Sequence, residues 1–226
     1  MKSAFLFGII IFFSAGCVSA QPSQSETKEA EYIRTINSRA QKITATLNIT
    51  DSTVSYRVQT IIVNQYRHLN DLHTSRDEQV KAAKSSGEDK QVIDAKVKSI
   101  QGEAANKITL LHQDYIGQLS SQLSKDQIEK VKDGMTYNVV NITYSGYLDM
   151  LPNLTSEQKA QIMTWLIEAR EHAMDAESSE KKHGWFGKYK GRINNYLSAA
   201  GYDLKKEGEA WQQRIKEREL KKNATK

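Results

Sequence analysis

Cysteine is nearly absent from this chain, which has one, Cys17. Also missing is any apolar run long enough to cross a bilayer: the stretch Ala4 to Phe13 falls well short of the roughly 20 residues a spanning helix needs. With Lys2 before it and Val18-Ser19-Ala20 after it, that run has the order of a secretory signal peptide cleaved after Ala20. Lipoprotein processing at Ser14-Ala15-Gly16-Cys17 is a minor alternative, although Ser14 stands where such sites carry a large aliphatic residue. Cleavage after Ala20 leaves no thiol and, with Lys2 gone, lowers the formal charge from +5 to +4. A periplasmic or secreted domain without disulfides must be held by its core alone, which about 200 residues can supply.

Other absences narrow the chemistry. There is no Gly-rich phosphate loop and no G-x-S-x-G elbow, so no cofactor is expected. Nucleic-acid motifs are missing too, and secretion argues against such a partner. The pI of about 9.1 permits contact with acidic glycans or lipid headgroups without requiring it. A cysteine-containing metal site is excluded. Glu168 and His172 form an i, i+4 pair that could hold a metal, but no second cluster completes it, and His68 and His73 are poorly spaced for one helical face. No metal is expected.

What the chain does contain is helical periodicity. Gln21 to Glu26 reads as a polar tether. Ile33, Ile36, Ala40, Ile43 and Leu47 then recur at spacings of three and four. Asp51 caps a second helix carrying Val54, Val58, Ile61, Leu69 and Leu72 to about Lys84. The third, from about Asp89 to Gln122, would be about 50 Å long at 1.5 Å per residue, which favours an elongated bundle. Ser124 with Gln127 and Thr155 with Gln158 make capping boxes at two further helix starts. Met135 to Leu151 is ambiguous locally and is read as helix because helices flank it. Gly201 stops the next helix, and Asp203 caps a last one that frays into the charged tail from Arg214 to Lys226. The expected fold is all-α: an elongated antiparallel bundle of about six helices over residues 28–178, a C-terminal helical subregion over 179–222, and a disordered tail over 223–226. Residues 21–222 form a single domain in this reading.

The stretch from His183 to Tyr202 stands apart from the rest. Lys181, Lys182, Lys188, Lys190 and Arg192 follow one another without an intervening acid, beside Trp185, a flat face of the kind that stacks on sugar rings. Cations next to an aromatic platform suit an acidic saccharide, because they pair with its carboxylates while the ring desolvates its apolar face. The candidate contacts are His183, Trp185, Phe186, Lys188, Tyr189, Lys190, Arg192 and Asn195. The plainer reading makes Gly184 and Gly187 a tight turn, the aromatics core, and the cations a solvated face. A catalytic version would use His183 or Tyr189 as a base beside Arg192 and Asn194 or Asn195, abstracting a proton next to a uronate carboxylate.

Two resemblances arise at these residues. The paired Leu-Ser/Thr-x-x-Gln motifs at Leu123 to Gln127 and Leu154 to Gln158 resemble those of the small periplasmic chaperones of the Spy and CpxP family, which implies an all-helical cradle for an unfolded client protein. Leu151-Pro-Asn-Leu-Thr-Ser-Glu-Gln158, Trp165-Leu-Ile-Glu-Ala-Arg170, Met174-Asp175 and the stretch His183 to Asp203 are similar to an uncharacterised secreted family, a domain of unknown function found mainly in Bacteroidetes. That second resemblance covers most of the mature chain and implies a role in polysaccharide utilisation. The expected function is therefore a non-enzymatic envelope accessory protein that binds acidic oligosaccharide, with a chaperone as the alternative and a polysaccharide-acting enzyme behind both.

Overall fold

The computed structural model describes residues 24–224, and the expected signal peptide, Cys17 and the cleavage point lie outside them. Among the described residues there are helices and no strands: α1 (Gln24–Ala45), α2 (Ser52–Lys84), α3 (Lys90–Ser120), α4 (Lys125–Met135), α5 (Val139–Met150), α6 (Ser156–Met174), α7 (Ser179–Ala199) and α8 (Leu204–Ala224). The chain is all-α, with eight described helices where about six were expected. It divides into two compact units within α1, Met1–Thr35 and Ile36–Lys226. In the first unit the described part is the opening of α1, where Thr35 Oγ1 donates to Glu31 O at 2.8 Å.

Local chemistry sets most boundaries. The Asp51 carboxylate accepts from Thr53 N and Val54 N, occupying two amides that α2 leaves open at its start. Ser124 and Gln127, and Thr155 and Gln158, form reciprocal capping boxes at α4 and α6. At the end of α7, Gly201 adopts φ 94, and Tyr202 N donates to Leu197 O while Gly201 N donates to Ser198 O. That paired arrangement needs a left-handed residue just past the helix, which glycine provides without a Cβ clash.

Three expectations are corrected. Helix α1 already runs from Gln24, where a polar tether was expected. The segment read as helix from Met135 to Leu151 is helical as α5 but starts later, because Tyr137 and Asn138, both left-handed, separate the end of α4 at Met135 from Val139. The tail does not fray from Arg214: α8 continues to Ala224, because Trp211 Nε1 and Arg218 reach the Asp149 carboxylate and Arg214 donates to Asp149 O and Met150 O. The arginine thereby satisfies carbonyls that the end of α5 leaves open.

Helix α2 packs on α3, α3 on α4, α4 and α5 on α6, α6 on α7, and α8 on α5 and α7. One core joins Val140 and Tyr147 of α5, Ile162, Leu166, Ala169 and Ala173 of α6, and Phe186, Tyr189, Ile193 and Leu197 of α7. This core fixes the rotation of α7 and so decides which of its polar side chains point where.

Candidate functional site

Helix α7 is continuous from Ser179 to Ala199, so Gly184 and Gly187 are helical and make no turn. Its buried stripe of Lys182, Phe186, Tyr189, Ile193 and Leu197 faces the core, which leaves two flanks and an outer face. The expected contacts are thereby separated. Phe186, 1% exposed, is a core side chain. Tyr189 is buried as well, and burial, followed by the neighbouring Glu168 carboxylate, pushes its hydroxyl up.

On the flank toward α6, Trp185, Lys188 and Arg192 come together. The Arg192 guanidinium lies 4.5 Å from the Trp165 ring centroid and 3.5 Å from Glu168 Oε2. Trp165 meets Tyr196 edge to face at 5.3 Å. One turn along, Trp185 stacks on His172 at 4.4 Å and 17°, with Lys188 Nζ 5.1 Å from its centroid. The result is a ridge in which Trp165, Glu168 and His172 of α6, spaced three and four apart, mesh with Trp185, Lys188, Arg192 and Tyr196 of α7.

The other expected contacts lie elsewhere. His183 stacks on Tyr137 at 5.4 Å and 13°. Lys190 is exposed, with its carbonyl 3.5 Å from the Tyr147 hydroxyl, which donates more closely to Asn194 Oδ1 at 2.7 Å. Asn195 is exposed. On the outer face, Gly184, Gly187 and Gly191 share a stripe at spacings of three and four, and a Cβ on any of them would meet nothing within 4 Å. Interior helical glycine costs about 1 kcal/mol against alanine, and no packing requires it here.

Sequence reasoning missed Lys182. It extends the apolar stripe back by one turn, and that register, Lys182 to Phe186, was the available signal. Its ammonium donates to Ala173 O and Met174 O at 3.0 and 2.9 Å, completing the end of α6, and burial lowers its pKa to about 8. Trp165, Glu168 and His172 were also missed as partners of α7, because their spacing marks a shared helix flank without saying what covers it.

Beside the ridge, but not part of it, lies a network of largely half-buried charge. His112 Nδ1 is 2.8 Å from Asp175 Oδ2 and its Nε2 is 3.5 Å from Glu171. The Asp175 hydrogen bond, then that of Glu171, raises His112 to about 9. Burial works to raise Glu171, but His112 and Lys132 outweigh it and hold that carboxyl at about 2. Arg170, 3% exposed, pairs with Glu129 and Asp133. His73 Nδ1 accepts from Arg76, so its Nε2 carries the hydrogen and donates to Asp175 O at 2.7 Å. An imidazole committed on both nitrogens to carboxylates is poorly placed to act as a base, and the arrangement ties α3 and α4 to α6. Among the described residues no three His, Cys, Asp or Glu side chains are placed to hold a metal ion, and no described helix is long and apolar enough to cross a membrane.

Compared with known families, residues 33–217 match the model described as "Protein of unknown function (DUF3826)". No curated protein matches the chain.

Proposed function

Because the chain belongs to the DUF3826 family through residues 33–217, whose description assigns no activity, we propose from its own chemistry that it is a non-enzymatic accessory protein of the bacterial envelope. In this reading it is periplasmic or secreted, binds an acidic oligosaccharide, and serves polysaccharide utilisation of the Bacteroidetes kind. The observation that carries the reading is the α6–α7 ridge, where Trp165 and Trp185 carry Arg192 and Lys188 over their rings.

The ridge supplies both halves of acidic-sugar recognition. Arg192 is held over the Trp165 ring and beside Glu168, so it is positioned before a ligand arrives, and a uronate carboxylate can exchange with Glu168 as its partner. Lys188 is exposed on a flexible stem and can swing from Trp185 to a second carboxylate, freeing ring surface for an apolar sugar face. The outward Gly184, Gly187 and Gly191 let a flat ligand approach the α7 backbone closely. The chaperone alternative draws less support, since Ser124, Gln127, Thr155 and Gln158 are spent on capping boxes.

Affinity electrophoresis in polygalacturonate, with neutral dextran as control, tests the reading. The protein should be retarded by the acidic polymer alone, and Trp185→Ala/Arg192→Ala should weaken that binding about tenfold. No retardation by any acidic polysaccharide, or equal retardation of the variant, overturns it. Release of unsaturated or reducing products on incubation would replace it with an enzymatic role.

A further inference from the structure

Between α4 and α5 the chain pays for an unusual turn. Tyr137 has φ 58 and Asn138 φ 57. Asparagine tolerates this left-handed region, whereas a bulky aromatic rarely enters it; here the end of α4 closes over Tyr137, with Asn138 N donating to Asp133 O at 2.8 Å. Such backbone outliers are worth tracing to a function. The Tyr137 ring is 39% exposed, and His183 stacks against it from α7.

That ring helps to line a cleft of about 380 Å³ together with Arg39, Lys42, Ile43, Tyr66 and Gly134. Gly134 is required for the close approach of α4 to α1, because a Cβ there would lie 2.7 Å from Ile43 Cγ1. The floor is therefore apolar and the walls carry two phenol rings. Thr46 also borders the cleft, but its hydroxyl already donates to Ile43 O at 2.7 Å. At the rim, Arg39 and Lys42 sit one turn apart on α1 and are exposed. No lining residue is acidic, and neither cation meets a carboxylate among the described residues. Arg39 is also close enough for its charge to be felt by the buried Lys182 ammonium, which adds to the positive character of this corner.

We propose that this cleft binds a small aromatic carboxylate, its ring against Tyr137 and Tyr66 over Ile43 and its carboxylate paired with Arg39 and Lys42. The volume is that of a small-ligand site, apolar inside with a few convergent polar groups. A free sugar acid would press several hydroxyls onto the Ile43 and Gly134 floor, which has no polar side chain to receive them, leaving them desolvated. An inorganic anion would use the cations and waste the apolar floor. The flat phenol walls favour a ring over an alkyl chain, since aromatic pairs gain beyond the area they bury.

The site is separate from the α6–α7 ridge and stands or falls independently of glycan binding. Isothermal titration of the full chain with 2-naphthoate is the test, with naphthalene-2-methanol, hexanoate and galacturonate as comparison ligands. Binding by 2-naphthoate should weaken with ionic strength and exceed that of each comparison ligand about tenfold, the loss expected when a charge-assisted contact or a ring wall goes unused. Arg39→Ala/Lys42→Ala should cost a similar factor, whereas Trp185→Ala/Arg192→Ala should leave binding unchanged. Tyr137→Asn is the decisive variant, because asparagine suits the left-handed backbone: its melting temperature should hold or rise while 2-naphthoate binding falls about fivefold or more. Failure of 2-naphthoate to bind by about 5 mM overturns the proposal. So does binding indifferent to Arg39, Lys42 and Tyr137, and so does galacturonate or hexanoate binding as tightly as the aromatic acid.

Discussion

His112 provides the sharpest test of the half-buried charge network. The perturbation is His112→Gln, which keeps a polar side chain of similar reach but cannot carry a proton. In the folded protein His112 lies between Glu171 of α6 and Asp175 just past its end, and its pKa stands at about 9 against an ordinary 6.5. A raised pKa means that the protonated form contributes stability, fully present below about pH 6.5 and lost as pH rises through about 9. The displacement corresponds to about 3 kcal/mol at face value. The ring keeps 20% of its surface in solvent, and screening of a partly exposed pair reduces this to about 1–2 kcal/mol.

Urea denaturation of both proteins from about pH 6 to pH 10 reads the difference directly. The variant should be less stable by about 1–2 kcal/mol at the acid end, and the gap should close as wild type loses the His112 proton. Lys182, lowered to about 8 by burial, works in the opposite direction, since a charged buried ammonium costs stability that is recovered as it loses its proton. It is present in both proteins and cancels in their difference. Glu171, held at about 2, remains charged throughout this window. A gap that stays constant across the range would refute the reasoning, because it would mean that His112 contributes only packing and neutral hydrogen bonding.

Two glycine substitutions should have opposite signs in thermal melts. Gly134→Ala must displace the buried Ile43 side chain, 2.7 Å from the new Cβ, and should destabilise by about 1–3 kcal/mol less the gain in helix propensity. Gly187→Ala meets open space on the outer face of α7 and should stabilise by about 0.5–1 kcal/mol; lower stability would show that something covers that face. Asp149→Ala removes the acceptor of Trp211 and Arg218, so amide exchange should accelerate in the second half of α8 and nowhere in α6. The Arg218 and Trp211 hydrogen bonds hold the Asp149 carboxyl at about 2, so in wild type that docking should persist above ordinary carboxylate pKa values and be lost only as pH falls through about 2.

Much of the fold was legible because helix ends are written locally. Asp51, the pairs Ser124/Gln127 and Thr155/Gln158, and Gly201 each act on backbone groups within a few residues, so sequence neighbours suffice to read them. The break at Tyr137 was not legible, since tyrosine has no preference for left-handed backbone and only its surroundings put it there. The end of α8 failed for a related reason. Arg214 and Arg218 look like a solvated tail until the end of α5, more than sixty positions away, supplies Asp149 and two open carbonyls.

The candidate site was legible in composition and illegible in arrangement. Cations and aromatics close together in sequence suggested one patch, but a helix turns about 100° per residue and distributes neighbours around its axis. Phe186 and Tyr189 therefore go to the core, His183 to Tyr137, and Trp185, Lys188 and Arg192 to the α6 flank. Lys182, one of the five cations that sequence grouped as one patch, is buried, because its register rather than its polarity decides its side of the helix. Packing thus accounts for Phe186, Tyr189 and Lys182, and internal pairing accounts for part of Trp185 and Arg192. It does not account for Gly184, Gly187 and Gly191, which forgo helix stability on an open face where alanine would fit. Those glycines leave the α7 backbone approachable beside the α6–α7 ridge, so the least chemically equipped residues of the stretch add a reason, independent of its rings and cations, to look for a ligand there.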